Sequence, residues 1–242
     1  MQTGIFFTFF YQPLYNGLIF LMDVLPWIDA GVAVILFTII VKLILFPLSR
    51  TSVRTQFLIK KYDKELKDIR ETYKSDRQEQ ALRTMNFYKE KKINPFSSLL
   101  LLFIQLPIIF ALYRVFTASS LPAIDTLSLY SFVPQPELVK VYFLGLIDIA
   151  SKSVPLAFLA ALTSFYQIKF SLPPANTTPS GNQFKDDFAR SMRIQMQYVF
   201  PVFVAVLAYS FSAALALYWI TSNLFMIGQE IYIKREMVRI HG

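Results

Sequence analysis

Apolar runs long enough to cross a bilayer recur along this chain of 242 residues. A span needs about 20 such residues to cross a hydrocarbon core of roughly 30 Å. Hydrocarbon offers the backbone no hydrogen-bond partners, so runs of this kind form helices. The chain is 55% hydrophobic and holds 24 Phe, a composition that excludes a soluble domain. The sequence therefore predicts an all-α polytopic membrane protein.

Five transmembrane helices are predicted from the positions of these runs. Pro47 suits the end of the first, and Asn94-Pro95 suits the start of the second, as a cap followed by proline at the first helical position. The tract 198–233 is too long for one span and too short for two generous ones, so a tight turn is predicted at residues 210–212. The spans are assigned to residues 30–48, 96–118, 154–170, 196–210 and 211–231.

The basic residues predict the orientation of the chain. Of the 24 Lys and Arg, 14 lie within residues 42–92, four within 169–193 and three after 233. Segments rich in Lys and Arg stay in the cytoplasm, which gives an N-out/C-in topology. The formal charge of +8 is then mainly a topology signal, and no sequence-specific nucleic-acid binding is expected. The connecting segments are an outer N-terminal segment (1–29), a cytoplasmic hairpin (49–95), an outer loop (119–153), a cytoplasmic loop (171–195) and a cytoplasmic tail (232–242).

An interfacial helix is predicted ahead of the first span. Residues 11–25 are apolar but short, and Pro26 and Asp29 separate them from that span. We interpret them as an amphipathic helix on the outer face. The alternative is a further span, which the absence of basic flanks disfavours. No Lys or Arg precedes Lys42, so the basic start of a cleavable signal peptide is not expected.

The cytoplasmic hairpin is the one extended polar segment, with 13 basic and 7 acidic residues between positions 50 and 95. Ser75 and Gln78 fit a capping box that opens its second helix. That helix would carry Leu82, Met85 and Tyr88 or Lys89 on one side. The first helix is predicted from apolar residues spaced by three or four, namely Leu58, Tyr62, Leu66, Ile69 and Tyr73.

Two interpretations of the hairpin stay open. It is either a solvated structural element or a docking arm for a large anionic or membrane partner. Docking is favoured because a short turn would join two spans equally well, and a basic face beside lipid attracts anionic headgroups. The predicted docking residues are Lys60, Lys61, Lys64, Lys67, Arg70, Arg77 and Arg83.

A single cation interrupts the first span. Lys42 lies within the apolar residues 32–46, four positions after Thr38 and on the same helix face. A charge inside a hydrocarbon-facing segment costs a few kcal/mol and marks a functional site by default. The alternative is a lysine whose stem snorkels to the nearby span end. The residue alone leaves both interpretations open.

Other polar residues lie inside the later spans. Each alone is most often a helix–helix hydrogen bond, but together they predict the lining of one cavity reached from the cytoplasm, which would keep Lys42 hydrated. Pro107 frees a backbone carbonyl and could bend its span. The residues are Gln105 and Pro107 in the second span, Thr163, Ser164 and Gln167 in the third, and Tyr218, Trp219, Thr221, Ser222 and Asn223 in the fifth.

Several function classes are disfavoured by what the sequence lacks. There is no Cys, and the one His is His241, so thiolate or histidine catalysis, a metal site and a cofactor are not expected. No nucleotide-binding loop of the GxxxxGK type is present. An intramembrane protease is disfavoured, because it would need a Ser–His or paired-Asp site within the spans. A small transporter or channel, which should show repeat symmetry, and an assembly scaffold remain as alternatives.

Four blocks, in order, resemble YidC-type membrane protein insertases, the YidC, Oxa and Alb family. The first two are TIIVKLILFPL at residues 38–48 and Tyr88-Lys89 followed by INP at 93–95. The others are LFIQLPIIFALY at 102–113 and LYWITSN at 217–223. The chain departs from the family at residues 211–214 (FSAA), where members often have a proline and a glycine. The resemblance covers roughly residues 10–240.

The resemblance implies a five-span core with a positively charged hydrophilic groove, open to cytoplasm and lipid and closed to the outside. Lys42 takes a groove position that is usually Arg, so recognition should be by point charge. Thr38, Gln105 and Trp219 carry over as groove or substrate-path positions. The function implied is insertion and chaperoning of hydrophobic segments in the bacterial plasma (inner) membrane. The expected partners are nascent membrane proteins and the lipid bilayer, with the ribosome, the signal recognition particle receptor and the Sec translocon as further candidates.

Overall fold

The computed structural model describes residues 4–118, 123–171 and 190–241, and most of them are helical. The predicted cytoplasmic loop at 171–195 lies largely outside the described residues. The chain divides into two compact units. The larger unit holds Met1–Ile44 and Leu106–Gly228, and the smaller unit holds Leu45–Gln105 and Gln229–Gly242.

Helices α1 (Gln12–Val24), α2 (Ala30–Ile44), α7 (Val154–Ser171) and α8 (Phe200–Ser210) belong to the larger unit. Helices α3 (Phe46–Lys61), α4 (Asp63–Thr72) and α5 (Arg77–Glu90) belong to the smaller unit. Helices α6 (Ser97–Ala118) and α9 (Ala213–His241) contribute to both units. Short π-helical segments precede α1 and α8, at Phe7–Tyr11 and Gln195–Val199.

One helix in the described part of the chain is by itself long and apolar enough to cross a membrane. It runs from Arg190 to Ser210 and includes the second π-helical segment and α8. The pair α2 and α3 meets the same criterion only when taken together. The helical class predicted from the apolar runs is thus present, whereas the number of spans and their orientation stay predictions.

The chain breaks between α2 and α3 at Leu45, three residues before the predicted end of the first span. Pro47 was expected to end a helix, but it lies in the first turn of α3. Proline is tolerated there because the first N–H groups of a helix have no partner within the helix. The later break falls at the predicted turn, since α8 ends at Ser210 and α9 begins at Ala213.

One small β-ladder departs from the all-α expectation. Strands β1 (Tyr142–Phe143) and β2 (Ile147–Asp148) pair antiparallel in the segment predicted as an outer loop. Between them, Leu144 and Gly145 both have positive φ, at 52° and 72°. The amide of Leu146 donates to the carbonyl of Phe143 at 3.0 Å, which closes a tight turn like those that favour hairpins.

The irregular segment 123–153 supplies partners to helices α1 and α2. Asn16 on α1 donates to the carbonyl of Ser128 at 2.9 Å and accepts from the amide of Tyr130 at 2.7 Å. Asp29 caps α2 through the amide of Val32, and its second oxygen accepts from the amide of Leu144 at 3.0 Å. Both side chains pair with backbone groups of this segment.

The same segment caps α9. The amides of Ala213 and Ala214, the first two of that helix, donate to the carbonyls of Ser151 and Ile149 at 2.7 and 3.0 Å. The N-terminal amides of a helix have no partner within it. The segment therefore replaces a side-chain cap at this turn.

Two glycines let neighbouring elements approach closely in the larger unit. A Cβ on Gly31 of α2 would lie 2.5 Å from Cδ2 of Phe143 on β1. A Cβ on Gly17 of α1 would lie 2.7 Å from Cε2 of Phe37 on α2. The absence of a side chain at these positions sets the packing of α2 against β1 and α1.

The smaller unit contains the predicted helical hairpin, with two corrections. Its first arm is two helices rather than one, because the chain breaks at Tyr62 between α3 and α4. The N-cap of α5 is Asp76 and not Ser75: its carboxylate accepts from the amides of Gln78 and Glu79 at 2.9 and 3.0 Å. Aspartate fixes the helix start there because a short carboxylate satisfies the first amides.

The packed face of α5 also differs from the expected one. Phe87 contacts Tyr62 edge to face at 5.7 Å, while Leu82 and Met85 are exposed. Leu58 and Leu66 from the first arm are buried as predicted. On α5, Phe87 and the predicted Tyr88 are half-buried, whereas the predicted Leu82 and Met85 are not part of the packed face.

Helix α9 continues through the residues predicted as a tail and ends at His241. Its last part packs on α3 within the smaller unit. Gln229 donates to Ser49, Arg50 pairs with Glu236, and Phe46 lies 6.4 Å from Tyr232 between ring centroids. These contacts explain why the polar end of α9 stays helical.

Candidate functional site

The candidate site begins with the buried face of α2. Its buried side chains recur every three or four residues, which places them along one stripe of the helix. Leu43 and Ile44, by contrast, are 56% and 70% exposed. The buried residues of the helix are Ala30, Gly31, Ala33, Val34, Phe37, Thr38 and Lys42.

Lys42 belongs to that buried face. Its exposed fraction is 8%, and that of Thr38, one turn earlier, is 2%. The hydroxyl of Thr38 donates to the carbonyl of Val34 at 2.6 Å, a bond within its own helix that satisfies the donor. The structure therefore brings the only two polar residues of the α2 stripe together on one side.

A second group of polar residues lies where α7 and α9 meet. The amide nitrogen of Asn223 donates to Ser164 Oγ at 2.8 Å and to Thr163 Oγ1 at 3.2 Å. Thr163 also donates to its own helix, at the carbonyls of Leu159 and Ala160. Asn223 and Ser164 are buried. In the larger unit, these predicted lining residues thus make a helix–helix contact.

The remaining predicted lining residues differ in environment. Tyr218 and Ser222 on α9 are buried, while Trp219 is half-buried. Gln167 on α7 is half-buried, and its amide donates to Ser171 Oγ at 2.9 Å. Pro107 lies inside α6, where the proline removes one helix hydrogen bond. Gln105 belongs to the smaller unit and the other lining residues to the larger one.

The basic hairpin residues are exposed or half-buried on the smaller unit. Two of them have intrahelical partners: Lys67 pairs with Asp63 at 2.8 Å, and Arg83 pairs with Glu79 at 2.7 Å. Arg83 also lies over the ring of Tyr73 at 5.6 Å. The hydrogen bond to Glu79 raises the pKa of the Arg83 guanidinium, so this charge is permanent. The residues Lys60, Lys61, Lys64, Arg70 and Arg77 are exposed.

Sequence reasoning missed the polar contact between α3 and the end of α9. Ser49 and Arg50 on α3 bond to Gln229 and Glu236 on α9. Ser52 and Thr55 on α3 and Glu230 on α9 are also buried. The three-residue spacing of Ser49, Ser52 and Thr55 marks one helix face and could have indicated it. In the described parts of the chain, no group of three or more His, Asp or Glu is placed to hold a metal ion.

These features define a helical membrane protein that buries one lysine in an apolar helix and carries a basic helical hairpin. The model of the 60Kd inner membrane protein family matches residues 21–240. The chain belongs to this family.

The chain is similar to proteins named membrane protein insertase YidC. It is 34% identical to that of Clostridium tetani over 87% of this chain and 84% of the relative. It is 31% identical to that of Fusobacterium nucleatum, over 85% of this chain and 86% of the relative. It is also 31% identical to that of Francisella tularensis subsp. novicida, over 94% of this chain but 38% of that longer protein.

Proposed function

We propose that this protein is a membrane protein insertase and chaperone of the bacterial inner membrane, in which Lys42 provides the charge of a hydrophilic groove. The family match over residues 21–240, with relatives named as insertases, carries the proposal. No bond-making or bond-breaking step is needed. The physical task is to move the polar flank of a hydrophobic segment across roughly 30 Å of hydrocarbon.

The proposed topology has five spans with the N-terminus outside and the C-terminus inside. The clustering of 14 of 24 Lys and Arg within residues 42–92 supports a cytoplasmic hairpin. The break between α8 and α9 supports two helices in the last apolar tract. In this arrangement the segment 123–153 lies outside the cell.

The burial of Lys42 supports the groove over a snorkelling side chain. A snorkelling lysine lies on the lipid side of its helix and extends to the interface. Lys42 instead shares the buried face with Thr38, while the adjacent Leu43 is exposed. A charged ammonium on a packed face is stable only with water or polar groups beside it. The groove we propose supplies this hydration from the cytoplasm.

In the proposed mechanism, the groove shortens the apolar path of the polar flank and lowers its desolvation cost. Lys42 attracts acidic residues of the flank for a short time, as a point charge that suits carboxylates of varied geometry. The apolar helix of the substrate then passes along the second, third and fifth spans into lipid. Its burial, together with the membrane potential acting on acidic flanks, drives the step.

The hairpin is the proposed docking arm. Six of its seven predicted docking cations are exposed, and this supports contact with an anionic partner. The ribosome, the signal recognition particle receptor, the Sec translocon and anionic lipid are the candidates. Arg83 and Lys67 are less available because each already has an acidic partner on its own helix.

The first experiment is labelling of single cysteines in the chain, which has no native Cys. Lys42→Cys and Leu43→Cys form a matched pair, because the two positions are adjacent in α2 but Lys42 is buried and Leu43 is exposed. A membrane-impermeant maleimide should label position 42 in inside-out vesicles and leave position 43 unlabelled. Absence of labelling at position 42 from both sides would contradict the hydrated groove.

Insertion itself is tested with a single-span substrate that has an acidic flank. Lys42→Ala should reduce its insertion, whereas Lys42→Arg should retain it because the charge is kept. A substrate with a neutral flank is the control and should depend less on position 42. Normal insertion of the acidic substrate by Lys42→Ala would exclude charge attraction. Ion flux through the wild-type protein in liposomes would favour a channel instead.

A further inference from the structure

The turn between β1 and β2 presents large apolar side chains to its surroundings. Leu144 is 66% exposed and Leu146 is 82% exposed, and Tyr142 alternates with them on the exposed side. We call Tyr142, Leu144 and Leu146 the outer tip. A soluble hairpin of this size normally has polar residues at its turn, so the outer tip needs an apolar environment.

The backbone of the outer tip is strained at Leu144. Leu144 has a φ of 52° and is followed by Gly145 at 72°. A turn with positive φ at both central residues favours Asn, Asp or Gly at the first of them. A bulky leucine there is a genuine outlier. Asparagine at position 144 would relieve the strain. The conformation of the turn therefore does not explain why this residue is leucine.

The outer tip is fixed to the first turn of α2. The amide of Leu144 donates to Asp29 Oδ2 at 3.0 Å, and the amide of Ala30 donates to the carbonyl of Lys140 at 2.8 Å. Phe143 packs directly on Gly31. Trp27, three residues before α2, is 70% exposed at the same junction. The outer tip thus lies where the apolar run of α2 begins.

We propose that the outer tip and Trp27 form an interfacial anchor that sits in the outer lipid leaflet beside α2. This rests on the proposed topology, in which α2 starts at the outer face. Trp and Tyr favour the headgroup level of a bilayer, and the two leucines would reach the upper acyl region. The hydrogen bonds of Asp29 and Lys140 fix the height of the anchor relative to α2. The anchor therefore lies at the level where α2 enters the bilayer, and lipid is the partner we propose for it.

The test uses the full chain in liposomes with a fluorescent NBD label at Leu146→Cys. Glu137→Cys is the control, an exposed polar position of the same segment. Spin-labelled phospholipid confined to the outer leaflet of right-side-out liposomes serves as the quencher. We expect a blue-shifted emission and loss of fluorescence at position 146, with water-like, weakly quenched emission at position 137.

Equal, water-like emission at the two positions would overturn the proposal. A blue-shifted label that the lipid does not quench, and that shifts back when the protein is diluted in lipid, would also overturn it in favour of contact between copies. Adding Leu144→Asn suits the positive φ and keeps the turn folded; it should reduce quenching at position 146. The label reports position and not insertion, so this result is independent of the Lys42 variants.

Discussion

Asn223 is a buried polar residue with two defined hydrogen-bond partners. Its amide bridges α9 to α7 through Ser164 and Thr163. Such a bond between apolar helices has few competing partners, but measured coupling energies in membrane proteins are modest, on average about 0.6 kcal/mol. Asn223 is therefore a positioning contact for the two helices, in a part of the chain where the proposed substrate path would run.

A double-mutant cycle should detect this contact. We expect Asn223→Ala and Ser164→Ala to show a coupling free energy of about 0.5–1.5 kcal/mol, since each removes the same hydrogen bond. Thermal unfolding of the purified protein in detergent is the measurement. Ser210→Ala, combined with Asn223→Ala, is the control, because Ser210 bonds only to Val206 of its own helix. Fully additive effects of Asn223 and Ser164 would contradict the assignment.

At the scale of single residues, the sequence predicts which residues share a helix face better than it predicts which residues bond to each other. That Thr38 and Lys42 share a face follows from their spacing alone, and both are buried. The partner of Asn223 could not be predicted, because Ser164 is 59 residues away. A contact of that kind depends on the rotation and height of two helices relative to each other, which helix periodicity does not determine.

At the scale of elements, helix ends depend on which residue satisfies the first amides. Pro47 and Ser75 both indicate a helix boundary, as predicted. Pro47, however, begins the next helix instead of ending the one before it, and Ser75 precedes the observed N-cap by one residue. Proline suits both the end of one helix and the first turn of the next. Ser and Asp are both good N-caps, and Asp76 follows Ser75 directly. Local patterns therefore locate these boundaries to within a few residues and no better.

The cap of α5 gives a direct test. Asp76→Ala should destabilise the first turn of α5 by about 1 kcal/mol, because the amides of Gln78 and Glu79 lose their acceptor. Hydrogen exchange of those amides should speed up accordingly. Ser75→Ala is the matched control and should leave the exchange rates unchanged. The opposite pattern would restore the Ser75 capping box.

Close packing of α2 on β1 gives a second test at this scale. Gly31→Ala should lower the free energy of unfolding by about 1–3 kcal/mol, because the new Cβ would overlap Phe143. Gly228→Ala in α9 is the matched control. Apart from its chain neighbours and the nearby backbone of its own helix, no atom lies within 4 Å of a Cβ at Gly228, so alanine there should raise helix stability by about 0.5–1 kcal/mol. Equal effects in detergent unfolding would contradict the close approach.

At the scale of the whole molecule, the distribution of charge is the main guide to orientation. The basic residues gather on the hairpin, while segment 123–153 has only two, Lys140 and Lys152. The positive-inside rule acts on such differences between flanking segments. Helix lengths alone are less informative here, because breaks at Leu45 and Phe211 shorten the continuous helices.

Single cysteines on either side should establish the orientation. Ser75→Cys in the hairpin should react with an impermeant maleimide only in inside-out vesicles. Glu137→Cys should react only in right-side-out vesicles. Both positions are exposed, so failure to react reports the membrane rather than burial. Labelling of the two cysteines from the same side would rule out an odd number of spans between them.

The contacts of segment 123–153 also set the order in which the molecule matures. Asn16 cannot form its hydrogen bonds to Ser128 and Tyr130 until these residues, 112 and 114 positions further along the chain, have been synthesised. At a synthesis rate of about 5–20 residues per second, that delay is roughly 5–25 s. Until then the Asn16 amide has only the carbonyl of Gln12, and Asp29 lacks Leu144. The N-terminal third is thus the first part to be made and among the last to reach its final contacts.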